Sequence, residues 1–390
     1  MWRSVRTNTK ILKELFWLFL KLGTTAFGGP AAHIAMMQNE VVVRRKWLSQ
    51  EEFLDLLSAT NFIPGPNSTE LAIHIGHKRA GWRGLIVAGV AFIFPAVMIV
   101  SAVAWVYVTY GNLPALHSIM YGIKPVIIAV VLQAIWSLSK SAVKSGFLAA
   151  LGVTAIVLNA AGVGELTTIF GAGVIAGAFY LYRSKGALSG FAFIPGKNEG
   201  TLAAASLAVS SAALLPFSNE KLFLFFLKVG SVLFGSGYVL LAFLRADLVD
   251  NWHWLTEAQL LDAVAVGQFT PGPVFTTATF IGYVLSGPAG AVLATLGIFF
   301  PAFFFVAISA PFIPRLRASR LASSVLDAVN VASLAVMTVT AFFLAKSSVI
   351  DVTTALLACF SAILLVRFKV NSAWLVLAGA IIGFGMTNYL

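Results

Sequence analysis

The sequence predicts an all-α polytopic membrane protein made of two inverted-topology repeats. Three observations predict this fold class: a shortage of charged residues, an internal duplication, and basic residues distributed differently between the duplicated loops. Only 11% of the 390 residues are charged, while 59% are hydrophobic. A water-soluble chain of this length normally carries about 25% charged residues. A lipid-facing surface needs none, and several apolar runs approach the roughly 20 residues that cross a bilayer. We therefore expect a multi-pass protein surrounded by lipid.

The chain repeats itself at a constant spacing of 207 residues. Residues 15–66 and 222–273 align without a gap, and eighteen of the 52 aligned positions carry the same residue. Apolar matches can arise from composition alone, but a co-linear lysine, tryptophan, aspartate and Pro-Gly-Pro cannot. The halves are therefore interpreted as duplicates. We assign residues 1–182 to the first repeat, 183–219 to a connecting loop and linking transmembrane helix, and 220–390 to the second repeat.

Each repeat is predicted to open with two broken or re-entrant helical hairpins, followed by about four transmembrane helices. In the first repeat, the hairpins cover residues 11–43, broken at Gly28-Gly29-Pro30, and residues 51–77, broken at Pro64-Gly65-Pro66. Proline ends a helix because it lacks an N–H group and clashes with the preceding turn. Full spans are expected near residues 84–109, 115–139, 146–160 and 163–182, with a linking span near 200–217.

The basic residues predict how the chain is threaded, because they mark cytoplasmic loops near helix ends. With these spans, 20 of the 26 Lys and Arg residues lie on the side of the N-terminus. The first repeat has Arg44-Arg45-Lys46 where the second has Asn251-Trp252-His253. This loss of charge is expected if the second loop faces the opposite side. The pattern therefore predicts inverted repeats with a cytoplasmic N-terminus, and the first apolar stretch, which lacks a cleavage motif, is interpreted as a retained helix.

The two Pro-Gly-Pro breaks are the first candidate site. Inverted repeats with broken helices are typical of secondary transporters, whose substrate site lies near the membrane midplane. A helix that starts after a break presents unpaired N–H groups and about half a positive charge, which suits an oxyanion. Asn67, Ser68 and Thr69 follow the first break, and Thr276 follows the second. A pair of structural kinks is the alternative interpretation, but the duplication and the polar residues favour a site.

Lysines in apolar segments are the second candidate feature. A lysine at membrane depth costs on the order of 3 kcal/mol, so it is a functional candidate by default. Lys21 and Lys228 are matched by the repeat and could neutralise an anion. Snorkelling of their side chains towards the lipid headgroups is the alternative. Lys124 lies within another span and has Asn330 as its counterpart, so any role it has is confined to the first repeat.

Carboxylates supply candidates for proton coupling. Asp55 and Asp262 are matched by the repeat and could carry protons or pair with the two matched lysines. Glu70 lies one helical turn after the first break and is a further candidate. Glu40 and Asp247 are also matched, but they lie near loops and are interpreted as solvated.

Several other functions are not supported. His74 and His77 share a helix face, but a zinc site needs further ligands and the second repeat has none there, so no metal is expected. The sequence contains no phosphate-binding loop or dinucleotide fingerprint, so we expect no cofactor, no direct ATP drive and no enzymatic activity. Membrane orientation explains the net charge of +11 better than a nucleic-acid partner does.

The motifs resemble those of the chromate ion transporter (CHR) family, in its long two-domain bacterial form. The likeness rests on Phe19-Leu20-Lys21-Leu22-Gly23, Phe27-Gly28-Gly29-Pro30, the Trp-Leu-Ser/Thr stretch and Pro64-Gly65-Pro66-Asn67-Ser68, and it covers nearly the whole chain. In the second repeat, Ser236-Gly237 replaces Gly29-Pro30, so that motif is not symmetric. The resemblance implies a bacterial cytoplasmic (inner) membrane protein that exports chromate using the proton-motive force and confers chromate resistance. Sulfate or another oxyanion as cargo, a passive anion channel, and a homodimer stay open.

The residue chemistry and the resemblance together define the predicted site. The residues assigned to substrate binding are Lys21, Gly28, Gly29, Pro64, Gly65, Pro66, Asn67, Ser68, Thr69, Lys124, Lys228, Pro271, Gly272, Pro273 and Thr276. The proton-coupling candidates are Glu70, Asp55 and Asp262.

Overall fold

The computed structural model describes residues 2–26, 29–111, 113–186, 216–234, 237–309 and 319–386. All regular structure in these ranges is helical, as predicted. Gly28 and most of the linking span predicted near residues 200–217 lie outside the described residues.

The first repeat folds into seven described helices. They are α1 (Trp2–Thr25), α2 (Gly29–Gln38), α3 (Gln50–Thr60), α4 (Asn67–Tyr110), α5 (Pro114–Ala142), α6 (Gly146–Ala160) and α7 (Glu165–Gly186). A short π-helical turn, Asn39–Arg44, extends α2. Ser49 caps α3 in a reciprocal pair of hydrogen bonds with Glu52, which satisfies two N–H groups that have no partner within the helix.

The second repeat folds into seven described helices in the same order. They are α8 (Asn219–Val232), α9 (Leu240–Phe243), α10 (Glu257–Phe269), α11 (Thr277–Ser309), α12 (Arg320–Ser348), α13 (Val352–Arg367) and α14 (Ser372–Met386). A π-helical turn, Leu244–Asn251, again precedes a reciprocally capped helix, here capped by Thr256 and Gln259. The local signals that start the helices are therefore duplicated with the sequence.

The long helix α4 is a tight helical hairpin. Its backbone reverses at Gly81, whose φ of +58° favours glycine, and α11 reverses in the same way at Gly287, where φ is +59°. The two arms touch through their backbones and leave no room for a side chain. A Cβ atom added to Gly76 would lie only 2.2 Å from the carbonyl oxygen of Gly84. The same glycine contact recurs in α11. These reversals confirm the predicted short arm that ends near residue 77 and the span that begins near residue 84.

The equivalent helices α5 and α12 lie side by side in opposite directions. Lys144, just after the end of α5, lies 2.7 Å from Asp327 near the start of α12. Tyr121, near the start of α5, donates a 2.5 Å hydrogen bond to Asp351, which follows the end of α12. The axis that relates the repeats is therefore perpendicular to these helices. Because both are long and apolar enough to cross a membrane, this axis lies in the membrane plane and the repeats are inverted.

Each repeat covers the long helix of the other. Helices α6 and α7 pack on α12, whereas α13 and α14 pack on α5. The contacts are close, since a Cβ on Gly122 would lie 2.0 Å from the carbonyl oxygen of Gly379. Five described helices are long and apolar enough to span a membrane, while α6, α13 and α14 are shorter apolar helices of 15, 16 and 15 residues. One large apolar cluster draws residues from both repeats.

Candidate functional site

The two Pro-Gly-Pro breaks are tied to each other's repeat by backbone hydrogen bonds. The Gly65 N–H group donates to the Leu233 carbonyl oxygen at 2.8 Å, and the Gly272 N–H group donates to the Ala26 carbonyl oxygen at 3.2 Å. Ala26 and Leu233 are equivalent residues that follow the ends of α1 and α8. The Pro-Gly-Pro break of each repeat therefore meets the end of the first helix of the other repeat. Such contacts are expected at the centre of an inverted-repeat protein.

Both central glycines are required by the local geometry. Gly65 has a φ of +139° and Gly272 a φ of +95°, values that side chains other than glycine rarely adopt. A Cβ on Gly65 would lie 2.3 Å from a carboxyl oxygen of Glu70, and a Cβ on Gly272 would lie 2.7 Å from the Cβ of Ala96. Gly29, which starts α2 after the other predicted break, also has a positive φ of +76°.

The first break opens onto a polar cavity. Pro64, Gly65 and Pro66 are buried, whereas Asn67 is half-buried and its side-chain amide donates to the Asn61 side-chain oxygen at 3.2 Å. The two asparagines line a cavity of about 370 Å³. The other polar residues that line it are Ser141, Lys144, Ser323, Asp327, Asn330 and Ser333. The start of α4 therefore faces amides, hydroxyls and the ion pair of Lys144 with Asp327.

Buried polar side chains lie behind the first break. Ser68, Thr69 and Glu70 are all buried, and both Glu70 carboxyl oxygens and the Thr69 hydroxyl have no hydrogen-bond partner in the described part of the chain. A buried ionised carboxylate without a partner is very unfavourable, so this position favours a protonated side chain. Glu70 is thus placed where a proton and an anion at the start of α4 would influence each other.

His33 is a buried residue of this site that the sequence analysis missed. One ring nitrogen lies 3.3 Å from the Ser68 hydroxyl, and the other lies 3.1 Å from the Ala26 carbonyl oxygen that also accepts from Gly272. His33 thus joins the end of α1, the start of α4 and the second break. A comparison of the repeats could have found it, because the second repeat has the apolar Leu240 at the equivalent position, which makes His33 a polar exception.

The second break is closed and largely apolar. Pro271, Gly272 and Pro273 are buried, and so are the Val274–Thr276 turn and the start of α11. The Thr276 hydroxyl donates to the Pro273 carbonyl oxygen at 2.8 Å. Its proton is therefore engaged by the backbone, and the residues after this break present few free donors.

The matched lysines pair with matched carboxylates. Lys21 lies 3.5 Å from Glu40, and Lys228 lies 2.7 Å from Asp247. The interpretation of Glu40 and Asp247 as solvated is wrong, since their side chains are only 10% and 18% exposed. The π-helical turns that follow α2 and α9 carry these carboxylates, and there they meet the ends of α1 and α8. Neither lysine lines the polar cavity at the first break, and neither lines the second cavity, which lies beside Asp262.

Asp262 faces a second cavity and joins the two repeats. One carboxylate oxygen lies 3.1 Å from the Lys124 ammonium, and the other accepts a 2.8 Å hydrogen bond from the Tyr107 hydroxyl. The suggested pairing of Asp262 with Lys228 is therefore wrong, because α10 directs Asp262 towards α4 and α5. The cavity measures about 450 Å³. Asp55, the equivalent of Asp262, lies exposed on α3.

This arrangement defines a class of protein: multi-pass membrane transporters with inverted repeats and broken helices that meet at the centre. A sequence model described as "Chromate transporter" matches residues 13–178 and 220–384, which together cover most of the chain. The chain therefore belongs to the chromate transporter family. The two matched regions correspond to the two repeats of the structure.

The names of similar proteins agree with this assignment. The chain is 32% identical to a chromate transport protein of Cupriavidus metallidurans, over 99% of this chain and 96% of that protein. It is 30% identical to a probable chromate transport protein of Synechococcus elongatus, over 90% of this chain and 89% of that protein. It is 33% identical to a chromate transport protein of Pseudomonas aeruginosa, over 78% of this chain and 73% of that protein. No solved structure matches significantly.

Proposed function

We propose that this protein is a secondary transporter that exports chromate across the bacterial cytoplasmic membrane, using the proton-motive force, and so confers chromate resistance. The observation that carries the proposal is the first Pro-Gly-Pro break, which presents the start of α4 to a polar cavity. Two of the relatives above are named chromate transport proteins and the third a probable one, which supports chromate as the cargo. The basic loops support a cytoplasmic N-terminus.

The anion enters from the cytoplasm through the cavity at the first break. Lys144 and the α12 N-terminus line its mouth on the side that carries most of the basic residues. Asn61 and Asn67 supply side-chain amide donors, and the first turn of α4 supplies backbone N–H groups. Neutral donors and a helix dipole can hold a dianion without a buried full charge, which leaves the anion free to depart.

The direction of transport follows from the membrane potential. Moving one charge across a membrane is worth about 2.3 kcal/mol per 100 mV, so a dianion is strongly driven out of a negative interior. Glu70, Asp55 and Asp262 are the proposed proton-coupling residues. Of these, Glu70 is best placed, because its buried carboxyl group contacts the break itself.

Sulfate is the main alternative cargo, because it has the same shape and charge as chromate and the neutral donors of the first cavity suit both. A passive anion channel is the alternative mechanism. A proteoliposome assay with an imposed pH gradient separates these possibilities. Uphill chromate movement that sulfate does not abolish supports coupled chromate transport, whereas strictly downhill flux at channel rates contradicts it.

Resistance assays test the proposed residues. Lys21→Ala, Lys228→Ala and Asn67→Ala are each expected to abolish chromate resistance while leaving membrane insertion intact. Lys221→Ala is a suitable control, since the Lys221 ammonium group donates to the nearby Pro216 carbonyl oxygen and lines neither cavity. Full resistance in all three test variants would refute the assignment of these residues to the site.

A further inference from the structure

The second cavity lies at the other end of α5 from the first. Lys124, near the beginning of α5, lines the second cavity, and residues from Leu138 to Lys144 line the first. Fourteen residues of α-helix separate Lys124 from Leu138, which is about 21 Å at 1.5 Å per residue. The two cavities are therefore separated along the direction in which α5 crosses the membrane.

The repeat relates the two cavities to each other. His117, Met120 and Lys124 line the second cavity, and their equivalents at a spacing of 206 residues line the first. Those equivalents are Ser323, Leu326 and Asn330. Because the repeats are inverted, a cavity that opens at one end of the molecule has its counterpart at the opposite end. The two cavities are thus lined by equivalent stretches of α5 and α12, at opposite ends of this helix pair, while their other walls differ.

We infer that the second cavity is a second oxyanion site, at which the anion replaces Asp262 as the partner of Lys124. This inference rests on the proposed function, since it requires an oxyanion as cargo. Lys124 and Asp262 are the fully charged residues among those that line the cavity, and its other polar lining residues are Tyr107, His117, Thr256 and Gln259. The first cavity has Asn330 at the position of Lys124, so only the second offers a lysine at this depth.

The geometry allows this exchange of partners. The Lys124 side chain is 20% exposed and reaches the cavity, whereas Asp262 is 8% exposed. When Lys124 leaves, Asp262 keeps its hydrogen bond from Tyr107 and is not left without a partner. A dianion carries twice the charge of a carboxylate, so it competes well for one ammonium group.

Lys124 is the cation paired with Asp262, and the neighbouring charged residues pair with one another. Glu257 of α10 is turned towards Arg245, at 3.3 Å, and Arg245 also bonds Asp250. Helices α11 and α14, which pack on α10, contain no charged residue. Asp262 is therefore the local competitor for any anion that approaches Lys124 through the cavity.

Binding of radiolabelled sulfate, a redox-inert tetrahedral dianion, tests the inference on the full chain in lipid nanodiscs. Asp262→Asn removes the competing charge and keeps a hydrogen-bonding side chain, so we expect sulfate to bind about tenfold more tightly. Lys124→Gln is expected to weaken binding at this site by about tenfold or more. The double variant should bind as weakly as Lys124→Gln, because the tighter binding of Asp262→Asn depends on the freed lysine.

Two further comparisons make the test specific. The same variants are measured with Asn67→Ala added, so that binding at the first cavity does not mask the second. Lys78→Gln serves as the control, because Lys78 pairs with Glu52 at 3.2 Å in an exposed ion pair outside both cavities. It should leave sulfate affinity unchanged.

The outcomes separate this inference from the proposed function. Sulfate binding in Asp262→Asn that is equal to wild type or weaker shows that the ion pair is structural, and it overturns the inference whether or not Lys124→Gln reaches the membrane. If that result comes with normal chromate transport by the wild type, the proposed function stands. If the wild-type protein neither binds nor transports chromate or sulfate, the proposed function itself fails.

Discussion

The two Pro-Gly-Pro breaks have the same three residues and a central glycine with a positive φ, but their surroundings differ. The first is followed by Asn67-Ser68-Thr69-Glu70 and faces a polar cavity. The second is followed by Val274-Phe275-Thr276-Thr277 and is closed on all sides. Duplication has therefore preserved the geometry of the break, while the residues after it decide whether the break can receive a polar ligand.

The conserved geometry has a clear physical basis. Each central glycine has a positive φ, and each donates its N–H group to the opposite repeat. Each break is thus anchored to the opposite repeat, at the residue that follows α1 or α8. The buried second break provides a fixed support, while the first break, which faces the cavity, can bind and release a ligand.

The largest effect is expected from Gly272→Ala, which tests whether the closed break is an essential support. The added Cβ would lie 2.7 Å from the Ala96 Cβ, and alanine at a φ of +95° adds backbone strain. Strain of about 1–3 kcal/mol is typical of such positions. We expect chromate efflux from cells to fall at least about tenfold, since tenfold corresponds to about 1.4 kcal/mol.

Gly171→Ala in α7 is the matched control, because no atom lies within 4 Å of a Cβ at that position and its φ is not positive. It should transport normally. Equal efflux by Gly272→Ala and Gly171→Ala would show that the second break tolerates movement, and the comparison between the breaks would lose its basis.

An intermediate effect is expected when the residues after the breaks are exchanged. Asn67→Val gives the first break the residue that follows the second, and Val274→Asn makes the reverse change. Asn67→Val should reduce efflux several-fold, because the cavity loses an amide donor. Val274 is only 7% exposed, so Val274→Asn should lower the free energy of unfolding by about 1–3 kcal/mol without creating a second entrance.

Efflux and thermal unfolding, measured on the same preparations, distinguish the two variants. Loss of efflux at unchanged stability is expected for Asn67→Val, and loss of stability is expected for Val274→Asn. If Asn67→Val transports normally, the first break is not the entrance to the site.

The sequence predicted the features that depend on local signals. Pro-Gly-Pro marks each break, and the lost basic loop predicts inversion. The structure contains both features. They follow from the conformational limits of proline and glycine, and from the position of basic residues at helix ends, which short stretches of sequence express directly.

The contacts between the repeats could not be predicted in this way. Asp262 meets Lys124 only because α10 of the second repeat packs beside α5 of the first. The alignment of repeats suggested Lys228 as its partner, because alignment compares equivalent positions and says nothing about which halves interlock. His33 was missed for the same reason, since two of its partners are brought together by folding.

The smallest effect is expected from a comparison of Lys21→Ala and Lys228→Ala on stability. Glu40, the partner of Lys21, is also contacted by Arg44 at 3.1 Å and Arg45 at 3.3 Å. The carboxylate of Asp247, the partner of Lys228, also accepts a 3.2 Å hydrogen bond from the Asn251 side-chain amide, which is a neutral donor. Partly exposed ion pairs contribute about 0.2–1 kcal/mol, so Lys228→Ala should destabilise the protein by an amount near the top of this range.

Lys21→Ala should cause a much smaller change, because two arginines continue to neutralise Glu40. Differential scanning fluorimetry of the two variants in the same detergent gives the comparison directly. A Lys228→Arg variant is the control, since it keeps the charge and should restore the unfolding temperature. Equal destabilisation by the two alanine variants would mean that the arginines do not replace Lys21, and that the basic loop of the first repeat serves orientation in the membrane rather than the stability of its carboxylate.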